Sequence, residues 1–319
     1  MLSRRELCRF LLTAFGLVKT VKRACATLAS PLLVDQLVAQ SELPLPNPVV
    51  RNYRADVVVT LLGLPVFARK GVGGASAAVR EASDGKRRLV ALRFAGGTNP
   101  QRTHGFRYDG SLEEVILQDG PTVPQAVYFG FVTSATNESY DQARQRILAR
   151  RKSSDSFVAA EGIHIAGRAR CEESSVSLAG EAVEDLSELN QRIRACFRDA
   201  DRAATELPTP GGAAATTFLY SILTALRSGD TRSQLDYVHN AKAYRLEWER
   251  AADPHHAGLT RFTGHIQELA TCKASTFRLW LDDRQSQLPV RIEFQPRSYL
   301  RISLESEPAD ATSRLKEEP

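Results

Sequence analysis

Tyr53-Arg54-Ala55-Asp56-Val57-Val58-Val59-Thr60 sets Tyr53, Ala55, Val57 and Val59 at every second position, against Arg54, Asp56, Val58 and Thr60. Strand side chains alternate between faces, so this period of two predicts a long strand with one apolar side. Val290-Arg291-Ile292-Glu293-Phe294 repeats the alternation cleanly near the other end of the chain, and Phe277-Arg278-Leu279-Trp280-Leu281 largely follows it. That pattern is expected where one sheet face is packed and the other is wet.

Working outward, Gly63 and Pro65 punctuate the first strand, and Pro65–Lys70 returns as a second. Gly71-Val72-Gly73-Gly74 reads as a further hairpin turn, with Ala75–Glu81 a short strand after it. It lacks the spacing of a phosphate-binding loop. Strands continue at Arg88–Phe94, Gly105–Tyr108, Leu112–Leu117 and Ala126–Val132. The turns between them fall at Asp84-Gly85, Asp109-Gly110 and Asp119-Gly120-Pro121, where glycine supplies the positive φ of a tight reversal. Tyr237–Glu249, Thr260–Ala270, Ser275–Asp282, Leu288–Phe294 and Leu300–Leu304 form a second run of strands, joined in part by Asp282-Asp283 and Gln295-Pro296. Three helices interrupt: Ser139–Lys152, Asp185–Asp199 with Leu186, Leu189, Ile193 and Phe197 on one stripe, and Ala213–Ser228 with Phe218, Ile222, Leu223 and Leu226. The fold class that follows is mainly β: a single curved antiparallel sheet, or half-barrel, of about ten strands with about three packed helices.

The 319 residues are 43% hydrophobic and 25% charged, with a net charge of +5 and interspersed signs. This is the composition of an ordinary folded domain. It offers no basic stripe interleaved with aromatics, so no nucleic-acid partner is expected. At the N-terminus, Arg4, Arg5 and Arg9 precede the apolar run Phe10–Val18, the physical form of an export signal, and the paired arginines suit a twin-arginine route. A second reading uses Lys19, Lys22 and Arg23 as the basic region, Ala24–Val34 as the apolar core and Leu37-Val38-Ala39 as the small-residue end. Neither run is long enough to span a bilayer. The expected organisation is an export-signal-like segment at 1–40, a Pro-rich linker at 41–51, one β-sheet domain at 52–305 and a disordered tail at 306–319. The protein is then placed in the periplasm or cell envelope, the alternative being the cytoplasm. Cys171, Cys196 and Cys272 are far apart, so no disulfide framework is expected; buried free thiols are the leading reading, and one bridge among the three is the alternative if the protein is exported.

Catalytic signals are missing. No nucleophile elbow, zinc-protease helix or Ser-x-x-Lys set is present. His255-His256 is the most metal-like pair, but neighbours rarely share one ion, and a polar hairpin tip is the simpler reading. His164 and His239 sit among apolar residues as neutral core histidines. Glu113-Glu114 and Asp282-Asp283 point to opposite faces in any strand and read as solvated turn edges rather than acid/base couples. No catalytic residue, metal or cofactor is expected.

Tyr53-Arg54-Ala55-Asp56, Leu61-Leu62-Gly63-Leu64-Pro65-Val66-Phe67, Phe218–Arg227 and Leu288-Pro289-Val290-Arg291-Ile292-Glu293-Phe294 together resemble an uncharacterised group of bacterial exported domains. The sheet of that group is similar to the lipoprotein carriers LolA and LolB. The resemblance covers about Asn52–Leu304. It implies a curved antiparallel sheet wrapped around helices and transfers no catalytic residue. The leading functional expectation is a non-enzymatic envelope protein that binds or carries an apolar ligand, such as a lipid or an acyl chain, in the concave face. Its expected lining is Val57, Val59, Leu61, Phe129, Phe131, Phe218, Leu223, Trp248, Phe277 and Trp280, with both tryptophans on one face. The alternatives are a structural or assembly partner of another envelope protein, acting through a sheet edge, and a hydrolase with a spatially assembled site.

Overall fold

The computed structural model describes residues 37–39, 41–61, 64–99, 101–103, 108–120, 125–134, 157–166, 170–179, 186–197, 202–206, 216–283 and 287–307. The strands are β1 (Val49–Leu61), β2 (Leu64–Ser83), β3 (Arg87–Thr98), β4 (Tyr108–Asp119), β5 (Gln125–Ser134), β6 (Phe157–Ala166) and β7 (Arg170–Ala179). They continue as β8 (Arg202–Glu206), β9 (Arg232–His239), β10 (Lys242–Ala252), β11 (Leu259–Glu268), β12 (Ala274–Asp282), β13 (Arg291–Arg297) and β14 (Leu300–Ser306). Among the described residues, the helices that interrupt them are α1 (Leu186–Phe197) and α2 (Phe218–Arg227), with a helical stretch also at 37–39 before β1. The helix expected at Ser139–Lys152 lies outside the described residues.

All fourteen strands belong to one antiparallel sheet in the order β8-β7-β6-β5-β4-β3-β2-β1-β14-β13-β12-β11-β10-β9. Chain neighbours are sheet neighbours in each half, and the halves are sewn together where β1 pairs with β14, Tyr53 opposite Ser306 through Val59 opposite Leu300. The single mainly-β sheet expected from alternation is therefore present, with more strands than the ten expected. The sheet curls. The Tyr128 hydroxyl on β5 donates to Asn240 Oδ1 in the β9–β10 turn at 2.9 Å, linking strands from opposite ends of the order.

Helix α2 fills the space inside the curl. Its Ala225 and Leu226 pack with Leu246, Trp248, Phe262, Phe277 and Leu279 of one half. Leu223 packs with Tyr53, Val79, Val90 and Leu92 of the other. Helix α1 covers the opposite face of β3–β5, where Leu189, Ile193 and Phe197 meet Leu89, Val115, Leu117, Val127 and Phe129. Strands β3–β5 are thus buried on both faces. Across β10–β14 the outward positions carry Arg245, Glu247, Arg278, Arg291 and Glu293 in registered rows.

The structure corrects several local expectations. Gly71–Gly74 is not a turn but lies inside one twenty-residue strand, β2. The pairing Ala55 with Gly73 is followed by Val57 with Arg69, so β2 carries extra residues there as a bulge. Gly71 sits in the bulge at φ +63°, a conformation that favours glycine, and its N–H donates to Asp56 Oδ1 at 2.7 Å. Asp109-Gly110 is likewise within β4, paired to both β3 and β5, because flanking strands satisfy its backbone on either side. Tyr237–Glu249 is two strands: Asn240 and Ala241, at φ 50° and 51°, form a tight hairpin turn. Helix α2 starts at Phe218 after the N-cap Thr217, later than the Ala213 expected. Leu37 is only 3% exposed and joins the α1 cluster together with Val38, Leu43 and Leu45. Part of the segment expected to be signal and linker therefore packs on the domain.

Candidate functional site

The residues expected to line a ligand pocket do not meet in one place. Phe218, Leu223, Trp248 and Phe277 meet around α2 as tightly packed core. Phe129 lies on the other face of the sheet, edge-on to Phe197 of α1 at 5.4 Å between ring centroids. Trp280 also leaves the group. Leu279 and Leu281 turn inward, so Trp280 turns outward, stacked under the Arg291 guanidinium at 4.8 Å with its Nε1–H donating to Asp253 Oδ2 at 2.6 Å. The two tryptophans do not share a face. Val57 is buried and Val59 half-buried beside Leu300, Ile302 and Phe294, near the open end of the β1–β2 hairpin, where Val59 pairs with Phe67. Leu61 pairs with Leu64, and Phe131 with Ser111 and Ala160, while their side chains lie outside the described set.

The polar groups that organise the interior are ones the sequence made look superficial. Glu113 and Glu114 do point to opposite sides of β4, but neither is a solvated turn edge. Glu113 faces α1, accepting from Asn190 Nδ2 at 2.6 Å and pairing with Arg194. Glu114 is fully buried and faces α2, its two oxygens accepting the backbone N–H groups of Leu219 and Tyr220 at 2.8 Å each. These are donors of the first helical turn that have no partner within the helix, and the N-cap Thr217 makes no capping bond of its own. Burial drives the Glu114 carboxyl up to about 7, against the lowering pull of those hydrogen bonds. His239 is buried nearby, its ring 4.7 Å from that of Tyr128 and 5.8 Å from Phe218.

The histidine pair at 255–256 is held by Asp253. That carboxylate accepts the N–H of both residues at 2.9 Å and contacts His256 Nδ1 at 3.0 Å. Together with the Trp280 bond, these contacts hold its acid form well below the usual carboxylate range. This is a pinned turn. No group of three potential metal ligands occurs among the described residues. Cys196 and Cys272 are free, and Cys272 is exposed.

The remaining feature is at the surface. β2 pairs with β3 only from Gly73 onward, so Leu64–Gly71 has β1 as its strand partner on one side and no strand among the described residues on the other. On this overhang Leu64 is 70% exposed, Val66 60% and Phe67 46%, and Tyr299 of the adjoining β13–β14 turn is 38% exposed. Thr60 N–H donates to the Tyr299 carbonyl at 2.8 Å, so the two turns form one rim. Alternation and punctuation alone mark Leu61–Phe67 only as part of a strand pair. Its signal is the uncharged run Val57–Ala68 across the connection between two strands, where connections are ordinarily polar.

No family model matches the chain, and no curated protein matches it. Among solved structures the chain is similar to a beta-barrel-like protein of the domain of unknown function DUF1849 from Brucella abortus, at 9% identity and a TM-score of 0.36, covering 82% of this chain and 95% of that one. No helix among the described residues is long and apolar enough to cross a membrane.

Proposed function

We propose that this is a non-enzymatic protein of the cell envelope that docks onto another envelope component through the rim formed by the β1–β2 hairpin and the β13–β14 turn. The observation that carries this reading is the exposure of Leu64, Val66, Phe67 and Tyr299 together, on a strand edge that overhangs the sheet. Large apolar side chains clustered on a projecting edge mark a contact surface, whereas single scattered ones do not. Envelope location rests on the basic and apolar character of the N-terminal segment. Fractionation of cells producing the full chain tests the reading. The native protein remains with the membrane fraction, and Leu64→Ser with Phe67→Ser releases it to the soluble fraction without loss of folding. Equal retention of both forms rejects the rim as the docking surface.

A second reading keeps the apolar carrier. Helix α2 bridges both halves of the sheet and follows Pro208-Thr209-Pro210-Gly211-Gly212, so an apolar ligand could enter only by displacing it. Uptake of an apolar fluorescent probe that shifts Trp248 emission supports that route, and no uptake removes it.

A further inference from the structure

We propose that the component engaged by the rim is an anionic phospholipid surface, an inference that rests on the docking reading above and names its partner. Side chains along the hairpin are layered by depth. The outermost described residues of β2, Leu64–Phe67, carry no charge. Level with Phe67 and just below it come cations alone: Arg297 opposite Leu300, then Arg301 opposite Val58 on β14, then Arg69 opposite Val57 on β2, with Lys70 next along the strand. With about 3.4 Å of rise per residue, Arg69 lies roughly 7 Å below Phe67. That spacing matches the step from the acyl boundary of a bilayer to its phosphates.

The first carboxylate on β1 is Asp56, level with Lys70 and below Arg297, Arg301 and Arg69; its oxygens are already taken by Arg54 and the Gly71 N–H, and Glu305 lies further down, paired with Arg291. Lys70, Arg297 and Arg301 have no ion-pair partner among the described residues, and Arg301 Nε is buried without a hydrogen bond. Beside them a surface groove of about 500 Å³ runs along the outer face of β14, β1 and β2, with five cationic side chains against three carboxylates. A phosphate headgroup suits such a groove, because its oxygens accept from the unpaired guanidinium while its charge offsets the excess of cations.

A protein strand added to the free β2 edge is the competing occupant, and the edge serves it poorly. Pro65 has no N–H to donate, and the bulge at Lys70–Val72 breaks the ladder, leaving only Val66–Arg69 between them.

Sedimentation of the purified full chain with vesicles decides the matter. It co-sediments with phosphatidylcholine vesicles containing phosphatidylglycerol, is released by high salt, and stays in the supernatant with phosphatidylcholine alone. Leu64→Ser with Phe67→Ser, and separately Lys70→Glu with Arg301→Glu, each lower retention by about tenfold or more while keeping the native melting temperature. Absence of binding to the anionic vesicles overturns the proposal, as does binding that neither double variant weakens. If the native chain ignores vesicles yet stays with the cell membrane fraction in a hairpin-dependent way, the partner is a protein: the lipid proposal falls and the docking reading stands. If it does neither, both fall.

Discussion

Helix α2 and the β1–β2 hairpin are built from the same kinds of side chain and meet opposite fates. Leu223, Leu226 and Ala225 on the helix are enclosed by both halves of the sheet, whereas Leu64, Val66 and Phe67 on the hairpin are enclosed by nothing among the described residues. The difference is one of topology rather than hydrophobicity. The helix enters a concave face that curls over it. The hairpin runs past the last residue of β3 able to pair with it, and the bulge at Gly71 separates it from the paired part of β2. Apolar surface of the first kind stabilises the fold, and surface of the second kind is available to a partner.

Breaking the enclosed side produces the largest effects. Leu223→Ala is expected to cost about 2–5 kcal/mol, read by denaturant unfolding, because the site has walls on every side and little freedom to collapse. The Glu114 seat of α2 follows in size, through pH. Its carboxyl titrates near its ordinary value when unfolded and at about 7 when folded, so between those values the folded chain holds the extra proton. Its contribution is fully present below the unfolded value and is lost as pH rises to about 7, on the order of 3 kcal/mol in all. Glu114→Gln is expected to flatten that slope, and an unchanged slope would mean that another group carries it. A smaller loss, about 2 kcal/mol, is expected for Leu37→Ala at the edge of the α1 cluster. A chain cut after Ala39 should behave alike, so any signal cleavage that leaves full stability lies upstream of Leu37. At the exposed extreme, Leu64→Ser with Phe67→Ser should move stability by less than about 0.5 kcal/mol.

How much of this was legible follows the same divide. Period-two alternation at Tyr53–Val59 and Val290–Phe294 reports strands and their apolar faces because it depends only on local geometry. The Asp84-Gly85 and Asp119-Gly120 turns were legible for the same reason, with Gly85 at φ 87° and Gly120 at φ 57°. Tertiary pairing decides what local pattern cannot. Gly71–Gly74 and Asp109-Gly110 have turn chemistry, yet neighbouring strands hold them extended. Asn240-Ala241 carries no glycine, yet it turns because Asn240 is anchored by Tyr128. Helix and strand stripes named the candidate residues but not their company: parity within β12 put Trp280 opposite Phe277, and no count along the chain reveals that α2 lies against Phe277. Glu114 was hidden for a related reason, since its partners lie more than a hundred residues away. The hairpin tip was visible as an uncharged run, but its exposure depends on where β3 stops.

Hydrogen exchange of the full chain, with and without phosphatidylglycerol-containing membranes, tests the central claim most directly. Amides of Val66–Arg69 that face away from β1, and those of the Ser298–Tyr299 turn, should exchange rapidly alone and become protected on the membranes, while those of α2 stay slow and unchanged. Protection that appears in α2, or none at the hairpin, would contradict the assignment of the rim as the contact surface and of the α2 cluster as core.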